Sequence, residues 1–190
     1  MKELTCFLVL IILVFIYMNY VRKQLYLSLV KSPVNNREYY VRNLKDKQEA
    51  ADTLARLTQE LLSLLDSIKG KDKKGIDQLR DRFDPNNITE NIPGSLYVAY
   101  SVNKGDELSI CIRDKKTDKF IDMNTILFVA IHELAHIMST SNGHTKEFWD
   151  NMNYLLKEAI QIGIYQRVNY KEQPIDYCGM EINNTPLNME

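Results

Sequence analysis

The chain has 190 residues, 45% of them hydrophobic and 26% charged, with a formal net charge of −1. That suits one compact domain with attachments and gives no basic face of the kind nucleic-acid binders carry, so no nucleic-acid partner is expected. Three cysteines with no C-x-x-C pair exclude a zinc ribbon and a secreted disulfide scaffold. At most one disulfide can join Cys111 and Cys178, and reduced thiols are expected.

In chain order, Leu4 to Val21 ("LTCFLVLIILVFIYMNYV") carries no charge. It is expected to be an uncleaved transmembrane anchor over residues 1–21, since no small-residue cleavage site follows it. Arg22, Lys23, Lys31 and Arg37 follow the run, so the remaining chain is expected on the cytoplasmic side or in a virion interior. Residues 22–37 read as a juxtamembrane linker, and residues 38–190 as the folded domain. Glu38 to Ile68 is rich in Leu, Lys, Glu, Gln and Ala and reads as one long helix. Leu54, Leu57, Leu61, Leu64 and Ile68 form a stripe at three–four spacing, better suited to packing on the domain's own sheet than to a dimer stalk. The basic run Lys69 to Lys74 is diluted by acidic neighbours and reads as a solvated loop.

Ile76 to Phe83 predicts a short helix stopped before Pro85. Leu96 to Val102 and Leu108 to Ile112 predict strands joined by a turn over residues 103–106. A short strand is expected around Phe120 and Ile121. A helix capped by Asp122 or Asn124 runs to about Ser139, and a second covers Thr145 to Ile162. The tail from Ile164 to Glu190 reads as irregular. The fold class expected is α+β: a long helix, a small mostly antiparallel sheet, two further helices and the tail.

The chemistry lies in "IHELAHIMSTSNGHTKEFW", which holds all three histidines of the chain. From Ile126 to Met138 every residue is apolar except His132, Glu133 and His136. A helix apolar all round is buried, and a buried carboxylate between two imidazoles is costly unless something pairs it. His132 and His136 stand one turn apart on one face, a spacing at which two ring nitrogens meet one ion. His144 is the third candidate ligand, with Glu147 and Glu158 as alternatives. The nitrogen-rich set with one place left open favours zinc. Zinc in that place would activate water and polarise a scissile carbonyl, with Glu133 as the general base. Tyr170 and Tyr177 are candidate stabilisers of the oxyanion, and an extended peptide is expected against a strand of the 96–112 hairpin. Phe148, Trp149 and Cys111 read as core residues. Cys178 or an acidic tail residue is a candidate metal blocker in a proenzyme.

These residues resemble the zincin metallopeptidases, and more narrowly the SprT/WLM group of minimal gluzincin-like peptidases. "FVAIHELAHIM" followed by "GHTKEFW" carries the resemblance. The hairpin "YVAYSVNKGDELSICIR" and the tail "PIDYCGMEI" look like small membrane-anchored relatives encoded by large DNA viruses. The resemblance implies hydrolysis of protein or peptide substrates. Two features depart from related patterns: seven residues separate His136 from His144, and Gly143 precedes the third histidine instead of following it. The DNA-binding appendages of relatives in DNA–protein crosslink repair are missing here, so that role is not carried over. The reading is a membrane-anchored zinc metalloendopeptidase. The alternatives are a catalytically silent, zinc-stabilised structural protein of a membrane or virion, and an interaction protein using the 38–68 helix.

Overall fold

The computed structural model describes residues 2–95, 97–102 and 105–188. It corrects the expected anchor: among the described residues, no helix is long and apolar enough to cross a membrane. A helix does form over Lys2–Tyr26 (α1). Its uncharged stretch, Leu4 to Val21, is at the short end of the roughly 17–25 residues that spanning helices use. The membrane partner assigned to residues 4–21 falls with the anchor.

The chain passes from α1 directly into a strand, where a linker was expected. Leu27–Lys31 (β1) pairs antiparallel with Glu38–Arg42 (β2). In β2, Tyr39 and Val41 are buried while Glu38 and Tyr40 are exposed. This alternation is the period-two pattern of a half-buried strand, written in residues that favour strands. The long helix therefore begins at Lys47, not Glu38, and runs to Ser67 (α2). Its leucine stripe is spent inside the domain: Leu54, Leu57, Leu61, Leu64 and Ile68 are fully buried, and α2 packs on β2 and on the helix that carries the histidines. Burying each such side chain is worth roughly 1.5–3 kcal/mol. With the stripe covered, the helix has no seam left for a dimer stalk.

The short helix Ile76–Arg82 (α3) follows, then strands Ile88–Glu90 (β3), Ala99–Val102 (β4) and Glu107–Ile110 (β5). The sheet order is β1-β2-β3-β5-β4, with β4 at one edge. It is mixed, not mostly antiparallel: β2–β3 and β3–β5 are parallel, and β1–β2 and β4–β5 antiparallel. The strand expected around Phe120 is reduced to one bridge with Arg113. Helices Met123–Met138 (α4) and Lys146–Gln161 (α5) lie where the sequence places them. The tail is not wholly irregular, because Ile175–Tyr177 (β6) and Met180–Ile182 (β7) form a separate hairpin.

Candidate active site

Helix α4 is the spine of the site, and each of its ends is held. At the N-terminus, the Asp122 carboxylate accepts from the Thr125 backbone N–H at 2.9 Å and from its hydroxyl at 2.7 Å. At the C-terminus, the Gln78 side-chain amide of α3 donates to the Ile137 carbonyl at 2.7 Å and the Ser139 carbonyl at 3.2 Å. Asn151 of α5 donates to the Ser139 hydroxyl oxygen at 3.0 Å. Carbonyls at the helix end are thus answered by α3, and α5 holds the Ser139 side chain. Gly75 makes the approach possible. Its φ is +92°, and a Cβ there would overlap the Met138 carbonyl oxygen.

Between these ends, His132 and His136 project from one face, and His144 comes to them from the loop before α5. Candidate ligand atoms of the three histidines all lie within 4.8 Å of one another, and His132 Nε2 and His144 Nε2 are 3.1 Å apart. Tetrahedral zinc with Zn–N bonds of ~2.0–2.1 Å requires nitrogens about 3.3 Å apart, so the donor set fits that ion. Phe148 is fully buried beneath the three rings, with centroid distances of 4.8, 4.3 and 4.7 Å to His132, His136 and His144. The ring is thus a shared floor that limits how the imidazoles tilt. Burial, with His136 and His144 alongside, pushes the His132 pKa down to about 3, which keeps the ring neutral as a metal ligand requires.

The His144 loop is held by Glu147. Its carboxylate accepts from the Thr140 and Ser141 backbone N–H groups at 3.3 and 3.0 Å and from both hydroxyls. The side-chain and backbone bonds of Ser141, followed by those of Thr140, draw its pKa down to about 2. Gly143, with φ +75°, turns the chain between this clamp and His144. Glu147 is therefore occupied with the loop. Glu158 pairs with Lys71 at 2.6 Å, away from the histidines. Neither joins the cluster, and His132, His136 and His144 are the group that could hold a metal ion among the described residues.

Glu133 is 7% exposed. Burial pushes its carboxyl up to about 7, opposed by a bond from the Ser101 backbone N–H of β4. That bond ties the helix to the edge strand. His132, Glu133, His136 and His144 all line one cavity of about 830 Å³, which β4 borders through Ala99, Tyr100 and Ser101.

The two candidate oxyanion tyrosines are not brought to this cavity. Tyr177 is fully buried, and its hydroxyl donates to the Cys111 carbonyl at 2.6 Å. Tyr170 is buried against Phe128, with ring centroids 4.7 Å apart. Trp149, read as core, is only half-buried and lines the cavity, as does Tyr97. Cys111 and Cys178 are joined in a disulfide, which overturns the expectation of reduced thiols and removes Cys178 as a metal blocker. The Glu147 clamp and the disulfide escaped the sequence reading. The one available signal for the clamp was the "STS" run six residues before an acidic helix start.

Fold and site together define a metalloprotease-like domain. The chain belongs to the WLM domain family, whose model matches residues 34–186. A protein of Acanthamoeba polyphaga mimivirus is 34% identical over 167 residues, covering 84% of each chain. A protein of Invertebrate iridescent virus 6 is 33% identical over 82 residues, covering 42% of this chain and 44% of its own. Among solved structures, Wss1 from Saccharomyces cerevisiae shares the fold, with a TM-score of 0.51 and 19% identity over 64% of this chain and 86% of its own.

Proposed function

We propose that the protein is a zinc-dependent metalloendopeptidase in which His132, His136 and His144 hold the metal and Glu133 is the general base. The observation that carries this reading is the convergence of three imidazoles and one buried carboxylate on the floor of a single large cleft. Zinc bound there would supply Lewis acidity, lowering the pKa of a water and polarising the scissile carbonyl. Glu133 stands one residue from a ligand on the same helix. It is placed to take a proton from the attacking water and return it to the leaving amine. The edge strand β4 gives an extended peptide a backbone to lie along, next to Glu133. WLM family membership supports the reading, since the family's zincin members are peptidases of this type.

The test uses the full chain, because cutting at residue 38 would remove β1 from the sheet. Bound zinc is measured alongside cleavage of unfolded protein substrates, for wild type and Glu133→Gln. One zinc per chain is expected in both, with cleavage lowered roughly 10²–10⁴-fold in the variant. Equal inertness of both proteins with full zinc would instead support the zinc-stabilised structural reading. Absence of bound zinc would end the proposal.

A further inference from the structure

The cleft has a second wall, and it comes from the tail. Residues 178–184 line the same cavity as the three histidines and Glu133. The β6–β7 hairpin that carries them belongs to no other sheet. Its two-residue turn is Cys178-Gly179, with φ of +54° and +83°. Positive φ at both positions is the requirement of a tight primed turn, and a non-glycine residue there adds a cost of order 1 kcal/mol. What holds Cys178 in that conformation is visible. Its sulfur is bonded to Cys111, 67 residues earlier at the end of β5, and the neighbouring Tyr177 hydroxyl donates to the Cys111 carbonyl. The hairpin is thus fastened to the sheet beside the site at two adjacent points.

The wall it presents to the histidine-lined cavity includes two apolar side chains. Met180 and Ile182 fall on one face of β7 by strand alternation, and both line the cavity. Phe128 and Val129 of α4 also line it, one helical turn before His132 and Glu133. Lys115, Glu181 and the two asparagines after β7 are exposed, and they give the rim mixed charge with no dominant sign.

We propose that the disulfide-held hairpin is the substrate-selecting wall of the cleft, and that Met180 and Ile182, which share its lining with Phe128 and Val129, select a bulky apolar side chain next to the scissile bond. The proposal rests on the peptidase reading, but it predicts binding as well as cleavage. Filling such a pocket discriminates roughly 10–200-fold.

Two readouts test it on the full zinc-loaded chain. In the first, peptides differing only in the residue beside the cleaved bond (Leu, Phe, Gly, Asp) are compared by kcat/KM. In the second, Glu133→Gln binds the same peptides without cutting them, followed by the emission of Trp149, the single tryptophan of the chain, which lines the cleft. Leu and Phe peptides are expected to lead Asp by about 10-fold or more in both. Ile182→Asp is expected to reverse the order, and the Cys111→Ser/Cys178→Ser pair to flatten it, each with zinc content unchanged. Selective binding to Glu133→Gln with no cleavage by wild type would sustain this inference while sinking the peptidase reading. Equal treatment of all four peptides would overturn the inference. So would a preference that survives both hairpin variants.

Discussion

At the scale of single residues, the histidine cluster depends on groups outside it. His144 lies on a loop, and the loop lies on Glu147. Residues that orient metal ligands are typically worth about 10–100-fold in affinity. Glu147→Ala is therefore expected to weaken zinc binding by roughly that factor, measured against a competing chelator. His144→Ala is expected to weaken it further, and Glu158→Gln to leave it unchanged. Should Glu158→Gln match His144→Ala, the third ligand has been misassigned. Phe148 acts differently, through packing. Truncating a fully buried Phe to Ala costs about 3–5 kcal/mol, so Phe148→Ala is expected to lower both thermal stability and zinc affinity. The two histidines of the helix were legible because one turn of a helix fixes their separation. The Glu147 clamp was not, because hydroxyls and backbone N–H groups of a six-residue loop have no spacing rule that announces them.

At the scale of elements, α4 must be buried, straight and fixed at both ends for the histidines to meet. Its N-cap was readable, since Asp before a helical run has a single obvious use. Asp122→Ala is expected to cost about 0.5–2 kcal/mol, seen as a drop of a few degrees in Tm. The C-terminal clamp depends on α3 approaching closely. Gly75→Ala would place a methyl group against the Met138 carbonyl at a backbone conformation that alanine avoids. The expected result is a larger loss of stability than at Asp122, with weakened zinc binding because His136 lies in the last turn of α4. If Gly75→Ala unfolds at the wild-type temperature, the close approach is not real. The strand at Glu38–Arg42 shows the opposite case. In the sequence these residues merge with the helix that follows, because helix-favouring composition begins so soon after them; in the fold Tyr39 and Val41 alternate with exposed neighbours.

At the scale of the whole molecule, one buried cation ties the sheet to the helical layer. Arg113 is 1% exposed, and its Nε donates to Glu90 of β3 at 2.9 Å. Its Nη1 pairs with Asp46, the residue before α2, and the guanidinium lies 4.0 Å over the Phe120 ring. Removing one member of such a buried pair leaves an uncompensated charge at a cost of about 3–5 kcal/mol. Arg113→Ala is expected to show that loss in denaturant unfolding. Arg113 also supports a pH prediction. Its hydrogen bond holds the Asp46 carboxyl below the ordinary carboxylate range. A depressed acid stabilises the fold above its unfolded pKa, and the contribution fades as pH falls through the folded value. Wild type is therefore expected to lose its advantage over Asp46→Asn on acidification from about pH 5 downward. A difference that stays constant down to pH 2 would exclude Asp46 as the source.

Read along the chain alone, the His132–Glu133–His136 cluster on one helix and the mixed helix-and-strand class of the domain are both visible, but the β1–β2 pair before the long helix is not. Helical periodicity and buried charge are local constraints, and local constraints can be read along a chain. Folding in three dimensions brings His144, not Glu147 or Glu158, to the pair and sets tail residues along the cleft. It also decided that Cys111 and Cys178 meet and that Tyr170 and Tyr177 are spent elsewhere. These are contacts between residues separated by loops, whose closure leaves no periodic trace in sequence. The N-terminal run marks the limit of reading charge alone: Leu4 to Val21 carries none, yet among the described residues no helix is long and apolar enough to cross a membrane.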